Sequence, residues 1–158
     1  MKTFLSVLAG LVLAAGAAMA ADTIKLRTEA LTEKTVVDAN GKSETTLVTA
    51  ARVAPGDEVV YAIHFENAGA TPADAVVITN PVPKHMVCLT AEEALSARVT
   101  VSVDGGKSFG ALRTLTLPNA DGTTRPATWG DCTHVRWNFD KPLSPGQKGT
   151  LHFRASLL

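Results

Sequence analysis

The chain has 158 residues, with 15 Lys plus Arg balanced by 15 Asp plus Glu, so its formal net charge is zero. A neutral chain lacks the basic footprint of a nucleic-acid binder and the polybasic patch that docks on anionic lipid. The length suits a single domain with its own core.

The N-terminus reads as an export signal rather than as part of that domain. Lys2 supplies a positive n-region, Phe4 to Ala18 an apolar h-region, and Ala18-Met19-Ala20 the small-x-small cleavage pattern. The competing reading is an uncleaved anchor, but the run is shorter than the roughly 20 residues of a bilayer span. Residues 1–20 are therefore assigned to a cleaved leader and residues 21–158 to one exported domain, in the periplasm or the medium. Losing Lys2 leaves a net charge near −1. No cysteine stands near the cleavage site to carry a lipid, and no second apolar run is long enough to cross a membrane.

Past the leader, a period-two alternation dominates, the signature of half-buried strands. Ile24, Leu26, Thr28 and Ala30 alternate with charged residues. Thr35 to Asp38 predicts a second strand, turned by Asn40-Gly41 as a tight hairpin into a return strand over Glu44 to Ala50. Pro55-Gly56 is a turn leading into the clearest strand, Val59 to Glu66, with Val59, Tyr61, Ile63 and Phe65 inward. Asn67 and Gly69 suit a turn leaving that strand, because both tolerate positive φ. A short strand over Ala75 to Thr79 stops at Asn80-Pro81-Val82-Pro83, whose prolines remove ladder donors. Thr90-Ala91-Glu92-Glu93 reads equally as one capped helical turn or as loop. Val99 to Val103 is a strand, turned at Asp104-Gly105-Gly106-Lys107, with Leu112 to Leu117 as its return. Pro118 to Asp131 reads as a long polar loop. His134 to Phe139 has Val135, Trp137 and Phe139 on one face. Pro145-Gly146 then turns the chain into Thr150 to Ser156, with Leu151, Phe153 and Ala155 inward, and no sorting tail is expected beyond it. Eight or nine short strands with regular turn signals and no useful helix predict an all-β, immunoglobulin-like antiparallel sandwich.

Cys88 and Cys132 form an even pair in a chain read as exported, which favours a disulfide over two buried thiols. The bridge would close a loop of about 45 residues, worth roughly 4 kcal/mol on a chain-entropy argument.

Several landmarks together resemble the conserved-repeat domain of bacterial surface and secreted proteins, known as domain of unknown function eleven. They are Val53-Ala54-Pro55-Gly56-Asp57-Glu58-Val59-Val60-Tyr61, Glu66-Asn67-Ala68-Gly69, Val76-Val77-Ile78-Thr79-Asn80-Pro81-Val82-Pro83 and Leu143-Ser144-Pro145-Gly146. The resemblance spans about 53–153, leaving an N-terminal hairpin over 23–50 outside it. It implies an immunoglobulin-like sandwich, usually repeated in large surface proteins. This chain differs in having a single copy and a long insert around Cys88 to Cys132.

Candidate chemistry is sparse. Ser102 to Phe109 is similar to the Asp-box of sialidase propellers, where the motif stabilises a turn; Asp104 and Gly106 are read as a hairpin corner. Asp38 to Glu44 offers oxygens at alternating positions, but a calcium loop of the EF-hand type needs twelve residues and flanking helices. His64, His134 and His152 fall on polar strand faces and are weak metal candidates, since nothing in their spacing demands convergence. His85 completes the mature chain's histidines. Trp137 belongs with the core, whereas Trp129, near Cys132, is the better placed to stack on a sugar. Nucleophile elbows, zinc-protease motifs and phosphate loops are missing.

The resulting expectation is a non-enzymatic, cofactor-free exported module with a structural, binding or envelope-assembly role. Its partners would be other envelope proteins, or further copies reached through the N-terminal strand. The alternative is a periplasmic metal- or carbohydrate-binding protein.

Overall fold

The computed structural model describes residues 24–37, 39–94 and 96–158; residues 1–20, read above as a leader, lie outside them. The chain is all-β, and the sandwich predicted from the alternation is what forms. The described residues contain ten strands: β1 (Ile24–Val37), β2 (Ser43–Thr49), β3 (Glu58–Asn67), β4 (Val77–Pro81), β5 (Met86–Ala91), β6 (Ala97–Ser102), β7 (Thr116–Pro118), β8 (Thr124–Pro126), β9 (His134–Phe139) and β10 (Lys148–Leu157). A five-stranded antiparallel sheet in the order β2-β1-β3-β10-β5 faces a three-stranded sheet in the order β4-β9-β6, and β7-β8 is a small separate ribbon.

Alternation decides which residues enter the core. On β3 and β10, Ile63, Phe65, Leu151, Phe153 and Ala155 point inward; on the facing sheet Ile78, Val101, Val135, Trp137 and Phe139 meet them. Phe153 stacks on Tyr61 at a ring-centroid distance of 4.8 Å and leans on Trp137 at 6.5 Å. Phe65 meets Phe139 edge-on at 5.2 Å. Such offset and edge arrangements suit the ring quadrupoles. The Trp137 indole N–H donates to the Glu92 carbonyl at 2.9 Å, so this fully buried ring brings no unpaired donor with it.

Several expectations need correction. The two N-terminal strands are one 14-residue strand, β1, running through Leu31 to Lys34 without a turn. Its ladder with β2 stops at Val37–Ser43, so the connection is longer than a two-residue turn; Gly41 supplies a φ of +78° there. β4 continues through Asn80 to Pro81, which is tolerated because β4 is an edge strand. Thr90 and Ala91 belong to β5, not to a helical turn. The return from the Asp104 corner is a 3-10 turn (Leu112–Thr114), and only Gly110 bridges back to Val101. The polar loop after it carries β8 and a second 3-10 turn, Trp129–Asp131.

Asn67 does more than end a strand. It is fully buried, and its amide donates to the carbonyls of Thr71 (2.9 Å) and Leu143 (2.8 Å) while its oxygen accepts from Gly69 N–H (2.9 Å). The side chain thus ties β3 to the approach of β10. The positive φ in this stretch falls instead at Ala75, at 51°.

Truncating the central ring, Phe153→Ala, is predicted to cost about 3–5 kcal/mol by urea denaturation. Val37→Ser on the exposed end of β1 should stay within about 0.5 kcal/mol of wild type.

Candidate functional site

The histidines lie on opposite outer faces of the molecule. Sheet register places His64 between Arg27 on β1 and Thr150 on β10. His64 Nδ1 lies 2.9 Å from Thr150 Oγ1, and Nε2 lies 3.2 Å from Glu29 Oε2. Arg27 pairs with the other oxygen of the same carboxylate. The hydrogen bond with His64 is the largest influence holding the Glu29 carboxyl below its usual range, and Arg27 adds to it. These are the residue types of a nucleophile relay, but they are neighbours on an open sheet face, placed by strand spacing. A shallow hollow of about 620 Å³ opens beside them.

His152, two residues after Thr150, shares that face by alternation. His134 sits on the other sheet, with Nδ1 3.1 Å from Thr133 Oγ1 and its ring packed over Gly106. A Cβ on Gly106 would approach that ring to 3.1 Å, and its φ of +86° also favours glycine. Among the described residues, no three His, Cys, Asp or Glu side chains are grouped to hold a metal ion. Asp38, the first oxygen of the calcium-like stretch, lies outside the described residues.

Asp104 is the hub of its corner. Its Oδ1 accepts from Ser102 Oγ (2.7 Å) and from the Lys107 and Ser108 N–H groups (3.0 Å each), and Oδ2 accepts from Ser108 Oγ (2.6 Å). The two serine hydroxyls are the main reason its carboxyl is held far below the ordinary range. Beyond the corner, the Arg136 guanidinium lies 3.3 Å above the Phe109 ring. Gly56 and Gly146 serve two further turns with φ of +91° and +73°. The Pro55-Gly56 turn bonds back to Leu157 and the Pro145-Gly146 turn to Asn67, each at 2.8 Å.

The structure holds Cys88 and Cys132 as separate buried thiols, not as the disulfide favoured from sequence. Each sulfur is aimed at a main-chain carbonyl, Cys88 at Thr90 (3.9 Å) and Cys132 at Thr128 (3.7 Å). Burial, with Cys132 nearby, pushes the Cys88 thiol up to about 12; burial, with Asp131 adjacent, pushes Cys132 to about 11. Folded thiols then stay protonated while unfolded ones ionise near pH 9. Their stabilising effect is complete below that pH and is lost as pH rises towards 11–12. Reduced protein is predicted to lose thermal stability across that window more steeply than Cys88→Ala/Cys132→Ala. A parallel decline in both would contradict this.

Trp129 opens its 3-10 turn beside these cysteines. Thr128 and Asp131 cap the turn reciprocally, and Arg125 grips Asp131 at 2.8 Å. The partly buried indole lines a cleft of about 430 Å³ with Val99, Val101 and Leu112, while Glu93 and Arg113 bring opposite charges to it. This is an apolar hollow with a few polar groups, as small-molecule sites commonly are.

The sequence pointed to an N-terminal hairpin over 23–50 but not to how exposed its far end is. β1 pairs with β3 only as far as Leu31, then with β2 from Leu31 onward. The far end of β1 and all of β2 therefore leave the sandwich as a two-stranded arm. Val36 (49% exposed), Val37 (62%), Leu47 (43%) and Val48 (37%) remain in solvent on both its faces. Leu26, on the apolar side of the alternation in β1, is 53% exposed. Arg154 fixes the root of the arm, bonding Glu33 of β1 (2.8 Å) and Glu58 of β3 (2.7 Å). The signal available in the sequence was the run Thr45-Thr46-Leu47-Val48-Thr49, strand-forming but with no clear buried face.

No family model matches the chain, and neither a curated protein nor a solved structure matches it.

Proposed function

We propose that this is a non-catalytic, exported, immunoglobulin-like module, related to the conserved-repeat domain of bacterial surface proteins, that works by docking its β1–β2 arm onto a partner in the envelope, whether another protein or a further copy of itself. The observation that carries this reading is the arm itself: four large aliphatic side chains sit in solvent on a hairpin that the sandwich does not cover. A two-stranded hairpin is at best marginally stable alone in water. One that projects with apolar residues on both faces is suited to gain its remaining contacts from a partner. The leader pattern and the two-cysteine count support an oxidising, extracytoplasmic setting, in which the neighbouring Cys88 and Cys132 could be bridged.

A photo-reactive residue placed at Val37 should yield adducts in intact cells, whereas one at Thr124, on the ribbon, should not. Equal labelling at both, or none at Val37, would contradict the proposal.

A second reading, a carbohydrate-binding protein, is favoured by the Trp129 cleft. Glycan titration followed by Trp129 fluorescence tests it, and Trp129→Ala should abolish any binding seen. The metal-binding form of that alternative has less support, since His64 and His152 lie on one sheet and His134 on the other.

A further inference from the structure

We propose that β2 is a self-pairing edge: two copies join β2 to β2, antiparallel about a twofold axis at Thr46, so that the five-stranded sheet of one continues into that of the other. This rests on the reading of the arm as the contact element and names its partner as a second copy of this chain.

The first observation is the contrast between edges. An exposed strand edge is a template for pairing, and proteins blunt it with Lys, Pro, bulges or cover. Four of the free edges here are blunted. The open part of β1 carries Lys25 and Arg27. β4 ends in Pro81, with Pro83 just beyond. β5 breaks register against β10, with Leu89 as the extra residue. β6 is partly covered by Gly110, which exchanges bonds of 2.9 and 3.1 Å with Val101. β2 has none of these protections. It stands at the end of its sheet, runs in unbroken register with β1 over seven pairs, and is exposed at every residue. Its sequence, Ser43-Glu44-Thr45-Thr46-Leu47-Val48-Thr49, contains no Lys, Arg, Pro or Gly and a single charge. A short segment of high β-propensity and low charge of this kind is prone to pair with another strand.

The second observation is that this sequence complements itself in one direction. Folded antiparallel on its own copy about Thr46, it sets Thr46 against Thr46, Thr45 against Leu47, Glu44 against Val48 and Ser43 against Thr49. No like charges meet. A parallel in-register pairing would instead put Glu44 against Glu44, which is unfavourable. Because the same edge serves both copies, the contact is isologous and closes as a dimer rather than growing into a filament. A lone seven-residue ladder is at the small end of interface sizes, so the association should be weak and concentration-dependent.

The test uses the mature full chain. Light scattering after size exclusion should show mass rising from monomer to dimer with concentration and no further. Thr46→Cys should form a covalent dimer under mild oxidation, since paired Cα atoms fall within disulfide reach; Cys88 and Cys132 are buried, leaving position 46 as the exposed thiol. Ser43→Cys, about 20 Å from its counterpart in this register, should cross-link about tenfold more slowly or worse. T46K and T46E, each placing like charges opposite one another, should each weaken dimerisation by about tenfold or more, and mixing the two should restore it. A wild-type monomer at all concentrations, or equal cross-linking at 43 and 46, would overturn self-pairing. If Val37 still labels a different protein in cells, the arm remains the contact element with another partner; if it labels nothing, both readings fall.

Discussion

The stack of Phe153 between Tyr61 and Trp137 is the contact on which the rest of the structure depends. It joins the centre of the five-stranded sheet to the centre of the three-stranded one. β3 and β10, which carry Tyr61 and Phe153, are paired over nine residues; β1 and β5 attach to this pair, and β2 to β1. Trp137 in turn holds the connection after β5 through its bond to Glu92. Removing the ring would therefore open contacts within one sheet and between the two at once.

That arrangement separates the molecule into two parts with different duties. The sandwich satisfies its own polar groups: among the described residues no buried side-chain nitrogen or oxygen lacks a partner. Its corners are held by local bonds, as at Asp104, Asp131 and Asn67. The arm draws on none of this beyond its root, where Arg154 bridges Glu33 and Glu58 and neutralises two carboxylates that the ladder brings side by side. Because the buried core lies in the sandwich, changes in the arm should do little to the fold.

What could be read from sequence follows the same division. β3, β9 and β10 were legible because each has one face against the core, so apolar and polar residues alternate strictly. β1 was split in two because it changes neighbours at Leu31, and the alternation imposed by β3 has no reason to continue beside β2. β5 escaped notice because its bulge at Leu89 breaks the period and prolines crowd its approach. The Leu112 to Leu117 stretch looked like a strand by composition, but its backbone turns at Leu112–Thr114, where side chains pack on the core edge instead of pairing with β6. The site was less legible still. Histidines and cysteines drew attention by their chemistry, while the arm is mostly Thr, Val and Leu, whose meaning depends on whether anything covers them.

The central claim is that the sandwich stands alone and the arm is held only at its root. Amide hydrogen exchange in dilute solution tests this most directly. The account predicts that amides of β3, β9 and β10 exchange only through global opening, while those of Lys34–Val37 and Ser43–Thr46 exchange at least about a hundredfold faster. Arm amides protected in dilute solution to the same level as β3 would show that the arm belongs to the cooperative core, and would contradict the account.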